Sequence, residues 1–206
     1  DPLWSRGLGD VYKRQASLTT VQESLSSIDD PLARAVVWSS LWNATRDGEL
    51  TVARYTSIVR AHAPHESNIG LLVGILSNAL FSIRHYASDG ERQGEQRAWV
   101  ETAWAALQAS DAGSDAQLSW ARALAAASAF DDVHAAEVRA LLHGDVPEGL
   151  TVDPDLRWQL LTALVTTGHA GTDDVAAQLE SDDTGSGRTA ARRALASQPD
   201  SAVRAA

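Results

Sequence analysis

From Leu18 onward, apolar residues recur every three to four positions in runs of roughly 10 to 20 residues. Short stretches rich in Gly, Asp, Ser and Pro separate the runs. No convincing two-residue alternation interrupts them, so the expectation is an all-α chain. Ten helices are predicted, over 18–28, 31–45, 49–62, 67–87, 92–109, 114–129, 131–142, 154–167, 172–181 and 187–197. Two begin with Asp-Pro, at Asp30-Pro31 and Asp153-Pro154. There the carboxylate accepts free backbone N–H groups and the proline takes the first helical position, where no N–H is needed. The acidic doublets Asp131-Asp132 and Asp173-Asp174 fall in predicted first turns, where negative charge meets the positive end of the helix dipole. Capping explains them without catalysis.

Two kinds of helix emerge. In 92–109, Trp99, Val100, Ala103, Trp104 and Leu107 form one stripe, the mark of a surface helix with a polar side to water. In 31–45, Leu32, Val36, Val37, Trp38, Leu41 and Trp42 spread almost all round the axis, as do Ile69, Leu72, Val73, Ile75, Leu76, Leu80 and Ile83 in the next long apolar helix. Those two are expected to be covered on several sides. Antiparallel helical hairpins stacked as a HEAT- or armadillo-like superhelix satisfy both patterns. No fixed-period repeat aligns, and a single irregular bundle would show the same helix types.

Composition narrows the classes of function. The chain has 206 residues, 44% of them hydrophobic, enough for a continuous packed core. A net charge of −10 repels nucleic acid and anionic lipid, so neither is an expected partner. The longest apolar run, Ile69 to Ile83, contains Ser77 and Asn78 and is shorter than the roughly 18 residues of a membrane span. No export signal is recognisable, so the cytoplasm is the expected compartment. There is no cysteine, hence no disulfide and no thiolate metal ligand. There is no methionine either, which suggests a fragment. The only lysine, Lys13, lies in the opening DPLWSRGLGDVYKRQ. Residues 1–15 are therefore expected to be a non-native or disordered arm, and residues 16–206 the domain itself.

The most tempting chemistry is His62-Ala63-Pro64-His65-Glu66, which holds zinc-ligand residue types. Its spacing argues otherwise. A His-Glu-x-x-His helix sets both imidazoles on one face, yet Ile69 stands four residues beyond His65, and Pro64 interrupts the helix. A loop followed by a capped helix start is the preferred reading. His85, His134, His143 and His169 stand alone, Gly-x-Ser-x-Gly is absent, and Gly185-Ser186-Gly187 reads as a loop. Six of the seven tryptophans, Trp38, Trp42, Trp99, Trp104, Trp120 and Trp158, lie in predicted helices. They read as wedges between helices, each indole N–H finding a carbonyl or water. Arg157, beside Trp158, could reach a peptide carboxylate, but pairing with neighbouring acids is the commoner role. No catalytic, cofactor-binding or metal-ligating residue is assigned.

The segment DPLARAVVWSSLWNATRDGELTVARYTSIVRAHAPHESN, Asp30 to Asn68, resembles the C-terminal helical domain of the aminopeptidase N family of gluzincin aminopeptidases, in its actinobacterial branch. TVDPDLRWQLLTALVTTG (Thr151 to Gly168) and QLESDDTGSGRTAARRALASQPD (Gln178 to Asp200) resemble the end of the same domain. The resemblance implies a domain that follows a zinc-bearing catalytic domain and a small β domain, closes over the active site and limits access to short peptides. On that reading those two domains and the peptides are the partners, zinc belongs to the parent enzyme and not to this chain, and both ends look truncated. The zinc motif and the Gly-x-Met-Glu-Asn motif that grips a substrate amino terminus are missing here, so the chain alone should be inactive. An isolated domain of this kind should also expose an apolar patch. The competing expectation is an independent helical-repeat scaffold that binds a protein or peptide.

Overall fold

The computed structural model describes residues 18–199; residues 1–15, expected as an arm, lie outside them. The described residues contain helices and turns and no strand, as the periodicity predicts. Helix α1 covers residues 18–24 and runs into a 3₁₀ turn at Leu25–Ser27. There follow α2 (Pro31–Arg46), α3 (Val52–His62), a 3₁₀ turn at Ala63–His65, α4 (Ile69–His85), α5 (Asp89–Ala109), α6 (Asp115–Ala127), α7 (Ala135–Leu142), α8 (Pro154–Thr167), α9 (Thr172–Ser181) and α10 (Gly185–Ala196).

Local chemistry sets most of these starts. Asp30 accepts the N–H of Leu32 at 2.9 Å and Asp153 that of Leu156 at 2.7 Å, with proline at the first helical position in both. Thr51, Asn68, Ser114 and Thr184 cap α3, α4, α6 and α10 through their side chains. The predicted 49–62 helix begins three residues late because Thr51 is that cap, and Gly185-Ser186-Gly187 forms the first turn of α10 instead of a loop. Asp174 accepts the N–H of Gly171 ahead of α9 at 2.8 Å, as its place in the first turn suggests. Asp131 and Asp132 behave differently, since α7 starts only at Ala135. Asp131 accepts the N–H of Val133 and faces Arg97, while Asp132 takes a hydrogen bond from His169 at 3.0 Å. That doublet ties a turn to other elements and caps no helix.

The described residues divide into two separately packed units, with the boundary between Ala87 and Ser88. In the first, α2, α3 and α4 pack on one another and bury Trp38, Leu41, Tyr55, Ile58, Val59, Leu72, Ile75 and Ile83. The expectation that α2 and α4 are covered on several sides fails. Leu32 and Val36 are 72% and 60% exposed and Val73 is 49% exposed, because their angular positions lie opposite the core-facing Arg34, Trp38, Leu41 of α2 and Leu72, Ile75, Ala79 of α4. In the second unit α5 and α6 form a close pair, and α8 touches α6, α7, α9 and α10. Its central place explains why Leu156, Trp158, Leu160, Leu161, Ala163, Leu164 and Val165 are all buried. Helix α5 keeps one wet side, with Trp99, Val100, Ala103 and Leu107 inward.

The loops ahead of α6 and α8 are clasped together by the buried Gln117, whose side chain accepts the N–H of Gly113 at 2.9 Å and donates to the Glu148 carbonyl at 3.0 Å. Gly149 has φ +80° there, and a Cβ would stand 2.2 Å from the Gly113 nitrogen. Gly144 has φ +92° with nothing within 4 Å. Gly144→Ala should therefore cost only the left-handed backbone penalty, about 1 kcal/mol. Gly149→Ala adds a backbone clash and should cost about 3 kcal/mol or more. Urea unfolding of the two variants beside the parent measures the difference, and equal costs would show that the loop contact is soft.

Candidate functional site

The 62–66 segment, where zinc-ligand residue types cluster, is a polar knot at the base of the first unit. Glu66 is buried at 6% exposure. The Arg34 guanidinium grips it in a fork, Nη2 at 2.8 Å from Oε1 and Nε at 3.0 Å from Oε2. The Asn68 N–H donates to Oε1 at 2.9 Å, and the Trp38 indole N–H points to Oε2 at 3.4 Å. Arg34 spends its remaining nitrogen on the carbonyls of Ile28 and Asp29 at 2.7 and 3.0 Å. His62, also buried, has Nε2 at 2.9 Å from the Gln22 carbonyl and Nδ1 at 3.1 Å from the Ser26 hydroxyl. His65 is exposed.

These partners decide the chemistry. Both imidazole nitrogens of His62 are engaged and both oxygens of Glu66 are occupied, so the segment does not fit a zinc ion. Among the described residues no three His, Cys, Asp or Glu side chains converge as a metal-binding group. Burial, the largest influence on Glu66, pushes its carboxyl upward. The hydrogen bonds from Arg34, Asn68 and Trp38 and the Arg34 charge outweigh it and hold the group below its ordinary 4.5. Arg34 is raised, chiefly by its hydrogen bond to Glu66.

The other single histidines and the tryptophans are also placed by packing. His85 meets Phe81 in a tilted ring contact with centroids 4.3 Å apart, and His134 sits 5.5 Å from Trp104. Trp99 and Trp120, both essentially fully buried, meet at 6.1 Å. The indole donors depart from expectation: Trp38 and Trp158 donate to carboxylates, Trp158 to Asp182 at 2.8 Å, and the buried Trp99 Nε1 has no hydrogen-bond partner. Asp182 is held below the ordinary carboxylate range first by that indole and then by Thr184. Arg157 pairs with no acid; its Nη1 donates to the Leu142 carbonyl at 2.8 Å.

In the second unit a shallow groove of about 230 Å³ opens over α6, α8 and α10. Ala125, Ala129 and Ala163 line its floor with one side of Trp158, and Asp155, Gln159 and Arg193 stand at its exposed rim. Sequence reasoning missed it, because three helices distant in sequence contribute and each supplies ordinary residues. A concave floor of small side chains with three polar groups at the rim can hold part of an extended polar chain, and the Thr162 hydroxyl in its lining already donates to the Trp158 carbonyl at 2.7 Å.

Removing one partner of the Arg34–Glu66 pair strands a buried charge, so Arg34→Met should destabilise the first unit by about 3–5 kcal/mol. A carboxyl held lower in the folded state than its unfolded 4.5 contributes stability that is full above that pH and is lost as pH falls. Denaturant unfolding between pH 3 and pH 7 should therefore show a steeper acid loss in the parent than in Glu66→Gln; parallel curves would remove the pair from the acid response.

The description "ERAP1-like C-terminal domain" matches residues 11–206. The chain is also similar to the protein named "Aminopeptidase N" from Streptomyces lividans, 36% identical over 192 residues, which is 93% of this chain and 22% of that protein. It thus spans about a fifth of the relative's length. A match over nearly the whole chain, on a structure whose described residues form helices and no strand, has one outcome: this chain belongs to the ERAP1-like C-terminal domain family, the C-terminal domain found in aminopeptidase N.

Proposed function

We propose that this chain is the non-catalytic part of a zinc-dependent aminopeptidase, where it caps the active site and gates or positions peptides whose N-terminal residue is removed. The match across residues 11–206 carries the reading. The structure supports it in a specific way: the residues with the right chemistry for hydrolysis, His62 and Glu66, are committed to holding helices together. The zinc, the water it activates and the general base would come from the catalytic domain. What this chain offers is shape. Packed helices beside the active site would exclude bulky folded substrates, and surfaces such as the α6–α8–α10 groove would meet the distal part of a peptide. Among the described residues no helix is long and apolar enough to cross a membrane; a cytoplasmic enzyme is part of the proposal.

Extending the coding region upstream and assaying the longer product on an alanyl substrate, with and without a zinc chelator, tests this directly. Chelator-sensitive cleavage that the present chain lacks is the expected result. A longer product without a zinc motif or without cleavage would leave an independent peptide-binding scaffold. In the active protein, Arg193→Ala should raise KM for peptides of several residues by about threefold, the order of one rim-exposed charged contact. A single-residue anilide should be hydrolysed as before. Equal effects on both substrates would remove the groove from substrate contact.

A further inference from the structure

The first unit presents a surface that its own packing does not explain. Five of the seven large hydrophobic side chains exposed among the described residues belong to it: Leu32, Val36, Val73, Phe81 and Tyr86. On α2 the outward positions are Leu32, Val36, Ser39, Ser40 and Asn43; on α4 they are Gly70, Val73, Gly74, Ser77 and Phe81. From Leu32 to Asn43 and from Gly70 to Phe81 the rows carry no charge, in a chain whose residues are 21% charged and whose net charge is −10; Arg46 and Arg84 stand exposed at their C-terminal ends. The outward side of α5, for comparison, displays Asp89, Glu91, Arg97 and Glu101. Helices α2 and α4 pack on each other, and Trp42 ties the two rows at one end, 6.0 Å from Phe81 and 6.2 Å from Tyr86.

Gly74 sharpens the point. A Cβ there would meet nothing within 4 Å, and glycine in a helix interior costs about 0.5–1 kcal/mol relative to alanine. Nothing inside the unit needs the missing side chain, whereas a backbone laid across the helix from outside would. Depletion of charge with exposed aliphatic and aromatic side chains is the composition of an interface core and not of a solvated helix.

We propose that the outer face of α2 and α4 is the seat of the polypeptide that precedes this domain in the longer protein, and that the occupant is an uncharged, mainly apolar surface. The inference rests on the reading of the chain as a C-terminal domain. The family is one of C-terminal domains and the chain matches only 22% of the aminopeptidase N relative, so the rest of such a protein lies upstream. Among the described residues α2 is the first long helix. A partner bearing acidic or basic groups over the stretch from Leu32 to Asn43 or from Gly70 to Phe81 would bury them without a counter-charge, at a cost of several kcal/mol each, which selects for an uncharged occupant there.

Carbene footprinting reads the face without any substitution, by labelling exposed side chains on the present chain and on the longer protein. Labelling of Leu32, Val36, Val73 and Phe81 should fall by at least about fivefold in the longer protein, as half-exposed side chains enter an interface core. Equal labelling in both proteins overturns the proposal. Protection already present in the short chain overturns it too: if independent of concentration, the chain's own termini cover the face, and if rising with concentration, a second copy does. Alanyl cleavage measured on the same longer protein separates the two readings. Cleavage with an open face sinks the docking alone, and a protected face without cleavage sinks the aminopeptidase reading alone.

Discussion

The buried carboxylate of Glu66 is the constraint around which the first unit is organised. It sits between the end of α3 and the start of α4, and it fixes Arg34 of α2, the N–H of Asn68 at the α4 N-cap and the indole of Trp38 at once. Arg34 in turn holds the carbonyls of Ile28 and Asp29, which end the 3₁₀ turn before α2. Four segments, the turn before α2, α2 itself, the end of α3 and the start of α4, thereby share one charge pair. Such a pair is weak as a source of net stability, since desolvation offsets much of its attraction. Its value lies in direction: an apolar core tolerates many registers between helices, and a forked guanidinium–carboxylate contact tolerates few.

The second unit solves the same problem with fewer charges. Helix α8 is buried on most sides, and its Trp158 passes through the apolar layer to donate to Asp182 between α9 and α10. Asp182 approaches α10 so closely that a Cβ at Gly187 would lie 2.1 Å from its carbonyl oxygen. Glycine at the third residue of that helix is thus a packing requirement, although in the sequence it looks like part of a flexible Gly-Ser-Gly stretch.

That stretch illustrates what is legible from sequence and what is not. Helix number, type and most boundaries follow from periodicity and from caps such as Asp30-Pro31 and Asp153-Pro154, because those signals act within one turn of their own residue. Partners across elements are not encoded locally. Asp131 and Asp132 look like first-turn acids, yet one faces Arg97 and the other takes a hydrogen bond from His169, each more than thirty residues away in the chain. His62 and Glu66 look like ligands for the same reason: the residue types are visible, but their commitments to Gln22, Ser26 and Arg34 are not. The groove over α6, α8 and α10 is composed by tertiary packing alone. The family, by contrast, was readable from the Asp30–Asn68 segment, since a long pattern of core and cap residues carries more information than any single cluster.

The exposed aliphatic residues of α2 bear on how far a hydrophobic pattern can be trusted to report burial. An all-round apolar helix means that every side of it is eventually covered, but not by what. Within the first unit the inward side of α2 is satisfied by α3 and α4, and Leu32 and Val36 remain opposite it. A helix meant for water at those positions would carry Glu, Lys or Arg, as the outer side of α5 does. On the proposed docking, the sequence pattern describes α2 in its final surroundings, and the folded chain shows the side those surroundings would cover. The same logic applies to His62 and Glu66: their hydrogen bonds are already spent inside the fold, so what they contribute is the placing of α2, α3 and α4 and of the surfaces those helices present.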